Sequence, residues 1–132
     1  MTSDTYGLSR KVLTTREDVT MAALALQTIV EEQLAKARAA TAGRAAETIS
    51  GDHARLMRQT VIALTAGTEL SEHENPGEAT IYVVAGAVEV AAGDERLSLR
   101  AGDFADVPAH RHSLHALEDS AVLLTAVHLP RS

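Results

Sequence analysis

The chain has 132 residues, a formal net charge of -6, 45% apolar residues, 2% aromatic residues and no cysteine. That length suits a single core, and the acidic balance gives no electrostatic reason to approach nucleic acid or anionic lipid. Without thiols there is neither a disulfide framework nor a thiolate nucleophile, which fits a reducing cytoplasm, and any metal must be held by nitrogen and oxygen.

The aromatic residues are Tyr6, Tyr82 and Phe104, so the core falls to Ala, Val, Leu and Ile, with few rings on which a planar ligand could stack. The apolar stretch "SAVLLTAVHL" is too short to cross a bilayer, and no membrane span is expected.

After a polar leader, "TTREDVTMAALALQTIVEEQLAKARAA", Thr14 to Ala40, reads as one helix. Thr15 is placed to cap it with Asp18 three residues on. Val19, Ala23, Leu26, Ile29, Val30 and Leu34 form an apolar stripe at three- and four-residue steps, opposite a solvated face of Glu31, Glu32 and Lys36. The stripe must be buried against a sheet or a second subunit. Gly43 closes this first unit, residues 1–43, and residues 44–132 form the second.

From Ala45 onward the pattern changes to short strand-like runs, "AETIS", "ARLMRQTVIAL" and "TIYVVAGAVEVAAGDERLSLRAGDFADVP", punctuated by "GDH", Gly67, "NPG", Gly86, Pro108 and "EDS". Such spacing predicts an all-β sandwich or barrel. Gly93-Asp94 and Gly102-Asp103 read as two hairpin turns. Within "LMRQTVIAL", alternation requires that either Arg58 or Gln59 face inward.

Gly67, His73 and Gly86 fall in register with the first motif of the cupin superfamily, which the segment resembles. Gly102, Pro108 and His112 resemble the second motif, and "ENPGEAT" and "RHSLHALEDSAVLLT" are similar to stretches of small single-domain bacterial cupins. The resemblance runs from about Ala45 to Val127. It implies a small β-barrel of the jelly-roll kind, with the N-terminal helix packed outside, and a homodimer. It also implies a cavity site in which histidines two apart on one strand meet a glutamate and a histidine from neighbouring strands on iron, manganese, nickel or zinc.

The chain departs from that motif at two places. Asn75 replaces the second histidine and Ala79 stands where the glutamate is expected. Glu78 is the adjacent carboxylate. On a regular strand it points outward, and only irregular backbone after "NPG" would aim it inward. The candidate metal set is therefore His73, Glu78 and His112, with Asn75 as a fourth or outer group.

The remaining candidates read more blandly. His110 and His115 suit surface or sheet packing, His53 an exposed turn, and His128 a frayed strand end, or a strand that crosses the barrel floor. Tyr82 has the parity of an outward residue, while Glu72 and Glu74 read as solvated loop charges. Ser113 beside His112 makes no dyad, since strand neighbours face opposite ways.

Three functions stay open: a metal-dependent enzyme acting on a small molecule, a metal-free small-molecule binding or sensing module, and an interaction protein using the helix. Whether the chain is an enzyme is left open with them.

Overall fold

A computed structural model describes residues 11–15, 20–51, 54–73, 77–107 and 111–128. The elements run β1 (Lys11–Thr15), β2 (Thr20–Leu24), α1 (Leu26–Ala39), β3 (Arg44–Ser50), β4 (Met57–Leu64) and β5 (Glu69–His73). They continue with β6 (Glu78–Ala85), β7 (Ala87–Ala92), β8 (Glu95–Arg100), β9 (Phe104–Asp106), β10 (His112–Ala116) and β11 (Ser120–Val127).

The expected helix over Thr14 to Ala40 is corrected at its start. Lys11–Thr15 and Thr20–Leu24 pair antiparallel, Lys11 opposite Leu24 and Thr15 opposite Thr20. Val12, Thr14, Thr15 and Thr20 are β-branched, which favours extended backbone and weakens a helix. Thr15 therefore ends a strand and does not stand at the start of the helix. The helix starts after Ala25, with no side-chain cap hydrogen bond. Asp18 and Val19 lie outside the described residues.

The helix itself follows the amphipathic rule. Ile29, Val30, Gln33 and Ala37 are buried on one face, and that face packs on β3, β4 and β11. Ile29 and Val30 meet Val61 and Ala121 in a cluster that Leu26, Leu34 and Ile49 extend. Burying side chains of this size stabilises by about 1.5–3 kcal/mol each. Gln33, nine-tenths buried or more, donates its Nε2 to Glu47 Oε1 at 3.1 Å, which fixes the helix against β3.

Two antiparallel sheets form the barrel, one in the order β3-β4-β11-β6-β9 and the other β5-β10-β7-β8. Between them lies an aliphatic core that includes Leu64, Ile81, Val83, Val88, Leu99, Leu114 and Val122. Alternation sorts the five-stranded sheet cleanly. Ile62, Ile81, Val83 and Val122 face the core between the sheets, whereas Val61, Ala121 and Leu123 face the helix.

Of the two Gly-Asp turns, Gly93-Asp94 makes the expected hairpin: Ala92 pairs with Glu95, and Gly93 takes φ +60°. The second corrects expectation. Gly102-Asp103 joins β8 to β9, strands of different sheets, so it is a corner and not a hairpin. Asp103 Oδ2 accepts the Arg100 N–H at 2.9 Å and closes that corner. Gly86 also passes the chain between sheets, at φ +84°. A Cβ there would overlap the Asp119 carbonyl oxygen and Ser120 Oγ, so glycine is required twice over.

Candidate functional site

His112 opens β10, a central strand of the four-stranded sheet, and is 5% exposed. It lines a cavity with Ile62, Leu70, Ile81, Val107 and Leu124. The enclosed space is about 30 Å³, which is room for a water-sized group and no more. An open groove of about 370 Å³ adjoins it and shares Ile62 and Leu70 with its wall. Arg44, Ala46 and Thr60 line the rest of that groove. The inner face of β3 is exposed at Arg44, Ala46 and Thr48 because no strand of the second sheet covers it.

In the β5–β10 ladder, position 73 pairs directly with position 112. Directly opposed positions of an antiparallel pair share a face of the sheet. The next pair is Leu114 with Leu70, so β5 carries one extra residue at this point. Such bulges re-aim a strand at its end. The side chain of His73 lies outside the described residues, as do Asn75 and Glu74.

Glu78 is placed by the same counting. Ala126 pairs with Ala79 and Val127 with Glu78 in unbroken register. Ala79 is buried, on the inner face with Ile81 and Val83, while Glu78 is exposed on the opposite face. The expectation that the backbone after "NPG" turns Glu78 inward is therefore corrected: alternation holds from the first residue of β6, and the carboxylate stands outside the wall that His112 lines. The inner position belongs to the methyl group of Ala79. Among the described residues no three His, Asp or Glu side chains are grouped to hold a metal ion.

The other candidates separate by face. Arg58 has the inward parity of Ile62, and Gln59 the outward parity of Val61, where its Nε2 donates to Thr125 Oγ1 at 3.1 Å. His115 lies on the outer face, paired with Glu69 on one side and Glu89 on the other. Ser113 is buried and touches the cavity wall beside the irregular step between His112 and Leu114. Tyr82 is 40% exposed on the outer face, opposite Phe104 of β9. His53 and His110 lie outside the described residues.

His128 does not fray from the strand end, and the alternative of a strand that crosses the barrel floor suits it better. Its backbone N–H donates to the Leu56 carbonyl at 2.8 Å, so it continues the β4–β11 ladder instead of fraying from it. Val122 and Leu124 face inward, and alternation carries that face on to Ala126 and His128. Its Nδ1 is buried and, among the described residues, has no hydrogen-bond partner. Extending the parity of Val122 by three steps would have found it.

With this geometry in place, the comparisons follow. The chain belongs to the Cupin_2 family of cupin domains, whose model matches residues 60–128. No curated protein matches it in sequence. Among solved structures, it is similar to a conserved protein of unknown function from Streptococcus pyogenes, at 25% identity over 70% of this chain and 80% of that one, with a TM-score of 0.62. It is also similar to KdgF from Halomonas sp., at 27% identity over 65% and 82% of the two chains, with a TM-score of 0.56. The salicylate 1,2-dioxygenase of Pseudaminobacter salicylatoxidans shares the fold at 22% identity and a TM-score of 0.67, over 80% of this chain and 34% of that one. Among the described residues no helix is long and apolar enough to cross a membrane.

Proposed function

We propose that this cupin is a metal-free small-molecule binding or sensing module of the cytoplasm, with His112 and His73 as the polar contacts of its site. One observation carries the reading. The inner-face position at which a carboxylate would complete a two-histidine, one-carboxylate set is the methyl of Ala79, and the neighbouring Glu78 is exposed on the other face. The residues thus do not fit the mixed set that suits non-haem iron. A ligand-sized groove of about 370 Å³ beside the cavity supports binding instead. In this reading residues 1–43 brace the outside and residues 44–132 form the binding barrel.

Elemental analysis of freshly isolated protein, beside a His112→Ala variant, tests the proposal. The expected result is far less than one metal per chain in both, and no rise in Tm with added divalent ions. One metal per chain, lost in the variant, would overturn it. That outcome would favour a second reading, a metal-dependent enzyme with iron, manganese, nickel or zinc held by His73, His112 and Asn75. The direct pairing of positions 73 and 112 is the observation that keeps it in view.

An interaction role for the helix has little left to use, because its apolar face packs on β3, β4 and β11. The homodimer is proposed through the outer face of β6 and β9, where the cross-strand pair Tyr82 and Phe104 is 40% and 61% exposed. Sedimentation of wild type beside a Phe104→Glu variant tests it: a dimer that the variant dissociates is expected, and a wild-type monomer would sink it.

A further inference from the structure

We infer that Arg58 and His128 form an anion clamp at the mouth of the barrel, taking the carboxylate of a small monocarboxylic acid whose body lies in the groove beside β3 and β4. The inference rests on the binding reading above and names its ligand class.

Placement comes from the ladder. Across the inner face, Arg58 pairs with Ala126, and Ala126 with Ala79. His128 lies two residues beyond Ala126, diagonal to Arg58 on the adjacent strand, and such diagonal neighbours are within reach of long side chains. The β4–β11 register is continuous from Met57 to Leu64, so no bulge rotates Arg58 out of this face, and the His128 N–H carries the ladder on to the Leu56 carbonyl. The alanines at 79 and 126 give this part of the inner face only methyl groups.

Chemistry then selects the ligand. A buried ring nitrogen without a partner costs roughly 1–3 kcal/mol, and among the described residues His128 Nδ1 has none. A bound group that accepts a hydrogen bond from it removes that cost. A metal ion is disfavoured as this partner, because Arg58, on the same face of the neighbouring strand, carries a permanent positive charge. An anion is favoured by the same charge. A guanidinium has five N–H donors, so Arg58 can keep its present interaction and still present a fork to a carboxylate. The net charge of -6 selects among anions, since a dianion is repelled by the surrounding field more than a monoanion.

Length follows from strand geometry. His128 stands four residues from Leu124 of the cavity wall, about 13 Å at ~3.3 Å per residue. Side chains reaching in from both ends reduce that to a span of a few bonds. Thr60 and Ile62 follow Arg58 on the inner face of β4 and line the groove, so the acid's body has a continuous wall leading towards His112.

The test uses the full-length protein with 15N-labelled histidine, titrated with acetate, butyrate, benzoate and inorganic phosphate. Acetate engages the clamp alone. The expected result is saturable carboxylate binding with Kd at or below ~1 mM and a shift of the His128 Nδ1 resonance on binding. Affinity should fall about tenfold or more in Arg58→Gln and in His128→Leu, about 1.4 kcal/mol for each factor of ten. The clamp is overturned by any of three results: no saturable carboxylate binding, an unmoved His128 resonance, or stronger binding of phosphate than of carboxylates. The wild-type titration decides the question even if a variant fails to fold. A failure of the metal-free reading would show separately, as stoichiometric metal.

Discussion

The two ends of the barrel are built from the same strands and treat polar groups in opposite ways. At the end where β11 begins, Ser120 is 1% exposed, accepts the Ala87 N–H at 3.0 Å and donates to the Glu118 carbonyl at 2.7 Å. Beside it Asp119 receives Arg38 Nε and the Ala66 N–H, both at 2.9 Å, tying the helix to the β4–β5 turn. At the end where β11 finishes, His128 Nδ1 is buried with no partner among the described residues, and the inner face next to it is lined by Ala79 and Ala126. Satisfied polar groups fix a structure. An unsatisfied one spends stability that a ligand can return, which is the pattern expected of a site.

This contrast breaks most severely at Gly86. Replacing it by alanine forces a Cβ against the Asp119 carbonyl and Ser120 Oγ, at a positive φ that L residues rarely adopt. The expected loss is roughly 3–5 kcal/mol in urea unfolding; a loss below about 1 kcal/mol would show that the closed end is slack. Ser120→Ala comes next, at roughly 1–2 kcal/mol, since it strands the half-buried Ala87 N–H. Chemical denaturation of Ser120→Ala beside Ser120→Thr checks it, because the threonine keeps the hydroxyl.

How far the sequence foretold these ends depends on how local each signal is. The glycines at 67, 86 and 102 mark positions with positive φ, and glycine is legible because few other residues adopt it. The parity of Glu78 and Ala79 was legible too, by counting from Ile81. The start of the helix was not, because Ala23 and Leu24 fit a helical stripe and a strand equally well over so short a span. Gly93-Asp94 and Gly102-Asp103 look alike in sequence and differ only in which sheet receives the next strand, a non-local fact. His128 was hidden by its place beside the chain end, although its ladder bond to Leu56 holds it in the wall.

At the open end the expected sign reverses. His128→Leu removes a buried nitrogen without a partner and leaves an apolar side chain on an apolar face, so it should raise stability by about 1 kcal/mol. Urea denaturation without added carboxylate measures this. Destabilisation comparable to that of Ser120→Ala would mean that His128 holds the barrel together, and the two ends would then differ in position only.

The smallest effect sharpens the closed end through its charge. The side-chain hydrogen bond from Arg38, and after it the backbone N–H of Ala66, hold the Asp119 carboxyl below the usual carboxylate value. A carboxyl whose folded pKa is depressed adds stability that is present above its unfolded value, about 3.9, and is lost as pH falls through the folded one. Asp119→Asn keeps an oxygen for the Ala66 N–H and removes the charge. Its Tm should therefore lie slightly below wild type at neutral pH, and the gap should close as pH falls below about 4. The bridge to Arg38 is exposed, with side-chain exposures of 55% and 39%, so solvent screening keeps the gap small and added salt should narrow it further. A gap that stays constant from neutral to acid pH would show that Asp119 acts through the shape of its hydrogen bonds alone, which would make the closed end a device of geometry and leave the charge idle.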